Sequence, residues 1–324
     1  MRKIDNYNEE SEAPKKRFRL FDMNRDGKGV YEEEDRTPNL KFFFKLYFRK
    51  FSKIIQLNLL MLFQVMPIVA IILMFFMGNK TPTATNVAFA PLYGIDSIAS
   101  SLGASPSVDI ISTQMSIPAL TPLSNIIIIV IALFLIITLG WQNVGAAYVS
   151  RGLYRGEPVF VFSDFFYGIK RNFKQGLIMG LIDAIVMIVL GVDLVFFFSR
   201  GGSFALDFMY FVIFAIVIIY IVMRFYIYLM LITFDLSIFK ILKNALIFTV
   251  LGIKRNLLAI LGIALITAIN VALILVTLPS GFSLFIVLPF VYLFATVLFI
   301  TTYSSYPVID KYMIAPYTEN DSDN

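Results

Sequence analysis

Six continuous apolar stretches dominate the chain, at 54–77, 124–149, 173–198, 205–233, 257–278 and 282–303. Each is long enough to cross a hydrocarbon core about 30 Å thick, which takes roughly 20 helical residues. The stretches are unbroken rather than alternating, and lipid offers no partner to an unpaired backbone group, so α-helices are the predicted spanning form. The first stretch lies behind a polar leader and lacks the short basic n-region of a cleavable signal peptide. The pattern therefore predicts an all-α polytopic membrane protein whose six transmembrane helices form three consecutive hairpins.

The connections differ in composition. Residues 1–40 mix acidic, basic and proline positions without an apolar period and read as a disordered tail. Residues 41–303 form the membrane domain, and 304–324 a C-terminal tail with an acidic end. Within the domain, 78–122 is the one long loop, rich in Ser, Thr, Pro and Ala, and its apolar run at 87–103 suits either a short interfacial helix or surface filler. Before the third span, Phe162, Phe165, Phe166, Ile169 and Phe173 share one helical face, and Asp164, Tyr167, Lys170, Arg171 and Lys174 the other. This predicts an amphipathic helix over 164–174, capped by Ser163 and lying on the membrane interface. The same phenylalanines would serve equally as core contacts.

Sliding this region along the chain reveals a repeat. GIKRN at 168–172 recurs at 252–256, followed by Leu177 with Leu261, Leu181 with Leu265 and Ala184 with Ala268. FFKLYFRKFSKIIQLNLL at 43–60 is a weaker third copy. Three successive units emerge, each a basic-aromatic lead-in followed by a pair of spans.

Composition agrees with the pattern: 58% of the 324 residues are hydrophobic and 15% charged. The net charge of +5 does not mark a nucleic-acid binder, because the basic residues sit beside the apolar stretches. One side holds Lys41, Lys45, Arg49, Lys50, Lys53, Arg151, Arg155, Lys170, Arg171, Lys174, Lys240, Lys243, Lys254, Arg255 and Lys311, against Lys80 and Arg200 on the other. The positive-inside rule makes the first side, with both termini, cytoplasmic. Having no cysteine and no histidine, the chain has no disulfide, no thiolate or imidazole metal site and no nucleophile-histidine pair.

Candidate chemistry is sparse. Asp22, Asn24, Asp26, Gly27 and Glu33 fit the calcium loop of an EF-hand, in which alternating oxygens and a twelfth-position carboxylate surround the cation. Gly29 stands where that loop carries an aliphatic anchor, and Pro38 cuts short the exiting helix, so the metal expectation is weak. The nearby KKRFRLF at 15–21 suits anionic lipid. Charged residues inside the spans are the default functional candidates, and they are few: Asp183, Asp193 and Arg224. Asp183 and Arg224 fall at similar depth on adjacent antiparallel helices, which predicts an intramembrane ion pair. Glu157 and Asp164 read as a turn and a helix first turn rather than a catalytic carboxylate pair. No phosphate-binding glycine loop occurs. No catalytic residue and no cofactor is expected.

The run YVSRGLYRGEPVFVFSDFFYGIKRNFKQG at 148–176 resembles the signature region of the YesL-like bacterial membrane proteins, a domain of unknown function. KLYFRKFSKIIQLNLLMLFQVMP at 45–67 and FDLSIFKILKNALIF at 234–248 resemble that family's first helix and second cytoplasmic connection. The long outer loop departs from the family's pattern. The resemblance implies a non-enzymatic protein of the bacterial inner membrane, accessory to the assembly or regulation of an ABC-type carbohydrate-uptake system. It also implies a docking surface built from Arg155, Phe165, Phe166, Lys170 and Lys174, with importer membrane subunits or a second copy of the chain as partner and no nucleic acid. Two further readings stay open: a transporter or channel lined by Asp183, Arg224, Asn143 and Asn270, and a calcium- or lipid-responsive signalling protein.

Overall fold

The computed structural model describes residues 37–78, 80–84, 116–280 and 284–316. Asp22, Asn24, Asp26 and Glu33, the basic run at 15–21 and the apolar run at 87–103 lie outside the described residues. The order of elements is α1 (Leu40–Met77), β1 (Lys80–Ala84), β2 (Ser116–Leu120), α2 (Pro122–Arg155), α3 (Val161–Arg171), α4 (Phe173–Ser199), α5 (Phe204–Thr233), α6 (Ile238–Leu251), α7 (Ile253–Thr277) and α8 (Leu284–Ile309). Six of these helices, all but α3 and α6, are long and apolar enough to cross a membrane, as the hydrophobic pattern predicts. The strands add a detail that the pattern missed: they pair antiparallel, from Lys80 opposite Leu120 to Ala84 opposite Ser116, and tie the loop's two ends together.

The first lead-in is not a separate element. Asn39 accepts from Phe42 N at 2.8 Å and starts a single 38-residue helix that runs from lead-in through span. Phe42, Leu46 and Tyr47 form its buried stripe, with Phe43 packing on Phe299 and Tyr303 of α8. The second and third lead-ins are detached helices, α3 and α6. Sequence periodicity shows α3 but not α6, whose 14 residues were read as a connection.

α3 begins three residues earlier than predicted and is not capped by Ser163. Asp164 instead reaches back to accept from Phe160 N at 2.8 Å. The chain then breaks at Asn172, whose amide donates to Gly168 O at 3.0 Å. In the second GIKRN copy the break falls one turn earlier, at Gly252, and Asn256 donates to Thr249 O at 3.1 Å. Each repeated glycine lies beneath a tyrosine: a Cβ on Gly168 would meet Tyr148 Cβ at 2.7 Å, and one on Gly252 would collide with the Tyr226 hydroxyl. The polar match therefore marks two similar corners where a lead-in helix turns into a span.

The expected C-terminal tail from 304 is also corrected. The chain stays helical through Ile309 and a π-turn to Ile314, and Ser304, Ser305, Tyr306, Val308 and Ile309 are buried. Val308 and Ile309 join the core formed by α5 and α6, and Tyr306 packs 5.2 Å from Tyr154 of α2, so this stretch has partners that a tail would lack.

Burial is uneven along the bundle. Beyond Gln64 on α1, Ala184 on α4 and Asn270 on α7, and before Gly140 on α2, Tyr220 on α5 and Ala295 on α8, the sole buried residue among those described is Ser124. The core thus lies in the basic half, and the other half presents apolar side chains outward, as lipid requires. α2 anchors the basic half, packing on α1, α3, α4, α5 and α8. Its closest approach is to α4 through Gly140, Gly176 and Gly180: a Cβ on Gly180 would overlap Gly140 backbone atoms, and one on Gly140 would overlap Gly176 O. Small residues four apart let two backbones meet where apolar lipid supplies no hydrophobic drive for association.

Gly180→Ala should therefore lower the thermal unfolding temperature in detergent, at a cost of about 1–3 kcal/mol for overpacking. Gly191→Ala, on the same helix but with open space around it, should leave the temperature unchanged or raise it.

Candidate functional site

Ten residues into α4, about 15 Å along its axis, Asp183 is fully buried. Its carboxylate receives three donors from α5. Arg224 Nε stands 3.0 Å from Oδ1 and 3.1 Å from Oδ2. Tyr220 donates to Oδ1 at 2.9 Å, and Tyr228 to Oδ2 at 2.7 Å. The helical spacing explains the set, since 220, 224 and 228 are four apart and line one stripe of α5. The structure thus brings Asp183 and Arg224 together, and two tyrosines that the sequence reading passed over complete the site. Asn143 Nδ2, on α2, is buried without a hydrogen-bond partner. Asp193, farther out on α4, has no ion-pair partner among the described residues.

Several other intramembrane polar groups bond between helices. Asn58 engages the α8 backbone at both ends of its amide, donating to Phe290 O at 2.6 Å and accepting from Ala295 N at 2.9 Å. Gln64 donates to Leu135 O and accepts from Thr138, while Gln142 donates to Leu60 O, so α1 and α2 are joined in both directions. Asn270 donates to Tyr292 of α8, although its carbonyl oxygen is buried without a partner. Asp183, Arg224, Asn143 and Asn270 therefore do not act as one lining: the first two serve the α4–α5 contact and Asn270 the α7–α8 contact.

At the basic end, Arg151 is the residue whose role the sequence hid. From α2 it donates to Ile232 O and to Thr233 Oγ1, both at 3.1 Å, and its guanidinium lies over the Tyr148 ring. It thereby satisfies one carbonyl group at the C-terminal end of α5, where a cation also complements the helix dipole. Ser150, its neighbour, is buried and donates to Thr302 of α8 at 2.8 Å.

The proposed docking residues separate. Phe165 is 3% exposed and its ring fills the space over Gly145 of α2, where a Cβ would come within 2.9 Å. It belongs to the core, because the face of α3 bearing Val161, Phe165 and Gly168 is the one pressed on α2. Phe162 and Phe166 are 56% and 59% exposed, and Lys170, Lys174 and Arg155 are exposed as well. Arg155 pairs with Glu157 at 3.2 Å across the turn made by Gly156, whose φ of 74° is the left-handed conformation glycine adopts freely.

Residues 122–194 match the family model described as Protein of unknown function, DUF624. That family includes the YesL-like proteins, so the resemblance seen in the sequence holds over this stretch. The matched segment runs from the start of α2 through α3 to Leu194 of α4, and so carries Arg151, the two-sided α3, the Gly140 contact and Asp183. No curated protein and no solved structure matches the chain. The six apolar helices, together with the family match over 122–194, mark an integral, multi-pass membrane protein.

Arg224→Gln would leave the Asp183 carboxylate buried with two hydroxyl donors and no cation. We expect a loss on the order of 3 kcal/mol, read as thermal unfolding in detergent. Adding Asp183→Asn should restore part of it by removing the buried charge, so the two changes should couple rather than add.

Proposed function

We propose that the chain is a non-enzymatic accessory or assembly component of a bacterial carbohydrate-uptake system, set in the inner membrane with its basic half and both termini on the cytoplasmic side. One observation carries the reading away from transport: most of the polar groups inside the spans bond to neighbouring helices, as Asp183 does with Arg224, Tyr220 and Tyr228 and as Asn58 does with α8. A sugar pathway requires groups free to replace the solute's water. The exposed face of α3, with Phe162, Phe166 and Lys170, supplies an aromatic and basic surface suited to a partner. The carbohydrate link comes from the family resemblance, and the orientation from the basic residues.

Purification in mild detergent should retain membrane subunits of a sugar importer or a second copy of the chain. Phe162→Ala with Phe166→Ala should weaken that retention while leaving the spans inserted, since both side chains stand clear of the core. Uptake of a radiolabelled saccharide by the purified chain reconstituted alone would overturn the accessory role.

The orientation has its own test, made simple by the absence of native cysteine. Single cysteines replacing the exposed Ser203 and Ser237 should differ, with an impermeant thiol reagent added outside reaching position 203 and not 237. Outside labelling at 237 would reverse the topology.

A further inference from the structure

Where α3 turns into α4, the corner faces the C-terminal end of α5 across a groove of about 580 Å³. This lies within the usual range of small-ligand sites, about 300–1,000 Å³. Lys170, Arg171, Lys174 and Gln175 line one wall, and Thr233 and Asp235 the other. None of the three cations has a carboxylate within 4.0 Å among the described residues. With Asp235 counted against them, the lining carries a net charge of +2, from three cations and one carboxylate.

Two further features give this charge a direction. Asn172, at the N-cap of α4, turns its amide back to Gly168 and leaves the helix without a side-chain cap. The first-turn residues Phe173, Lys174 and Gln175 line the groove, so the positive end of a 27-residue helix opens into it beside the cations. The aromatic residues beside the groove suit the level of a membrane surface. Trp141, the chain's single tryptophan, stacks on Phe173 at 4.5 Å and donates to Phe173 O at 3.0 Å. Tryptophan favours the interface, where one edge of its ring is apolar and the other wet. From there α4 presents Ile178, Leu181 and Ile185 outward along the span.

We propose that this groove binds a phosphoryl group. The ligand carries its negative charge to Lys170, Arg171, Lys174 and the α4 N-terminus, opposite the wall that Thr233 and Asp235 form. The nearer source is the phosphodiester of an anionic phospholipid, whose acyl chains would follow the apolar face of α4. The other source is soluble phosphate. The site is independent of the accessory role, because it needs no protein partner.

Trp141 reports on the groove through Phe173, so the full chain in detergent can be titrated by its emission. One arm uses short-chain phosphatidylglycerol with phosphatidylcholine as control, and the other uses inorganic phosphate. Saturation by phosphatidylglycerol at least about tenfold tighter than by phosphatidylcholine assigns the lipid source, and saturation by phosphate alone assigns the soluble one. In either case Lys170→Gln with Lys174→Gln should weaken binding about tenfold or more, as expected for losing charge-assisted hydrogen bonds. Lys170→Arg with Lys174→Arg should preserve it. Asp235→Asn should tighten binding, an effect that damage to the fold would not produce. Equal titrations for wild type and the glutamine variant in both arms would overturn the proposal. Because the measurement uses the purified chain, this failure leaves the docking test on Phe162 and Phe166 unaffected.

Discussion

A hydrocarbon surrounding drives polar groups within the spans to find partners within the protein, and the positions of those partnerships determine where the helices are held together. Apolar side chains gain little by leaving lipid for one another. Contact between spans must come from hydrogen bonds, an ion pair and close backbone approach. Asn58 on α8, Gln64 and Gln142 between α1 and α2, Asp183 with α5, and the Gly140 contact with Gly176 and Gly180 supply these. All but the Gln64 bonds fall within the half of the bundle that carries the lysines and arginines.

The asymmetry of burial follows. Outward from Ala184 and Tyr220, α4 and α5 hold no buried residue, and both are almost wholly apolar there. Inward, the helices extend past the interface and gain two extra elements, α3 and α6, which fill the spaces between span ends. The core around Tyr226 to Ile232 and the aromatic cluster of Phe43, Tyr47, Phe299 and Tyr303 both lie in this half. Lipid makes up the contacts of the outer half. The basic half meets water and can show a surface to another molecule, which is why both the α3 face and the groove beside α4 are found there.

The repeat takes on physical meaning at the same level. GIKRN supplies a glycine that lets a tyrosine close over a helix corner, and an asparagine whose amide donates to a carbonyl beside the break. Its cations stand at the end of the span where water begins. The two copies differ by one turn in where the helix breaks; neither α4 nor α7 has a side-chain cap, and the groove lies at the first copy.

The six spans were legible because crossing a bilayer demands length and continuous apolarity, which are one-dimensional properties. The basic side was legible because its charges cluster beside the spans. The pairing of Asp183 with Arg224 was foreseeable from depth along adjacent helices, but Tyr220 and Tyr228 were not, because a tyrosine in a span has no visible partner until a facing helix supplies one. Phe165 and Phe166 look alike in the sequence, yet Phe165 fills the space over Gly145 and Phe166 faces outward. Their difference depends on which side of α3 meets α2, a choice that helical period narrows to a stripe without naming its neighbour. Likewise, α6 was hidden although Ile241, Ala245 and Phe248 make a single buried stripe, because exposed Phe239, Leu246, Ile247 and Val250 make its other faces apolar too and blur the period. Residue pattern along the chain therefore determined what enters the membrane and which end is basic. Only the packing of helices against one another decided which polar groups are consumed as structure and which are left open to a ligand, since that depends on distances between residues far apart in sequence.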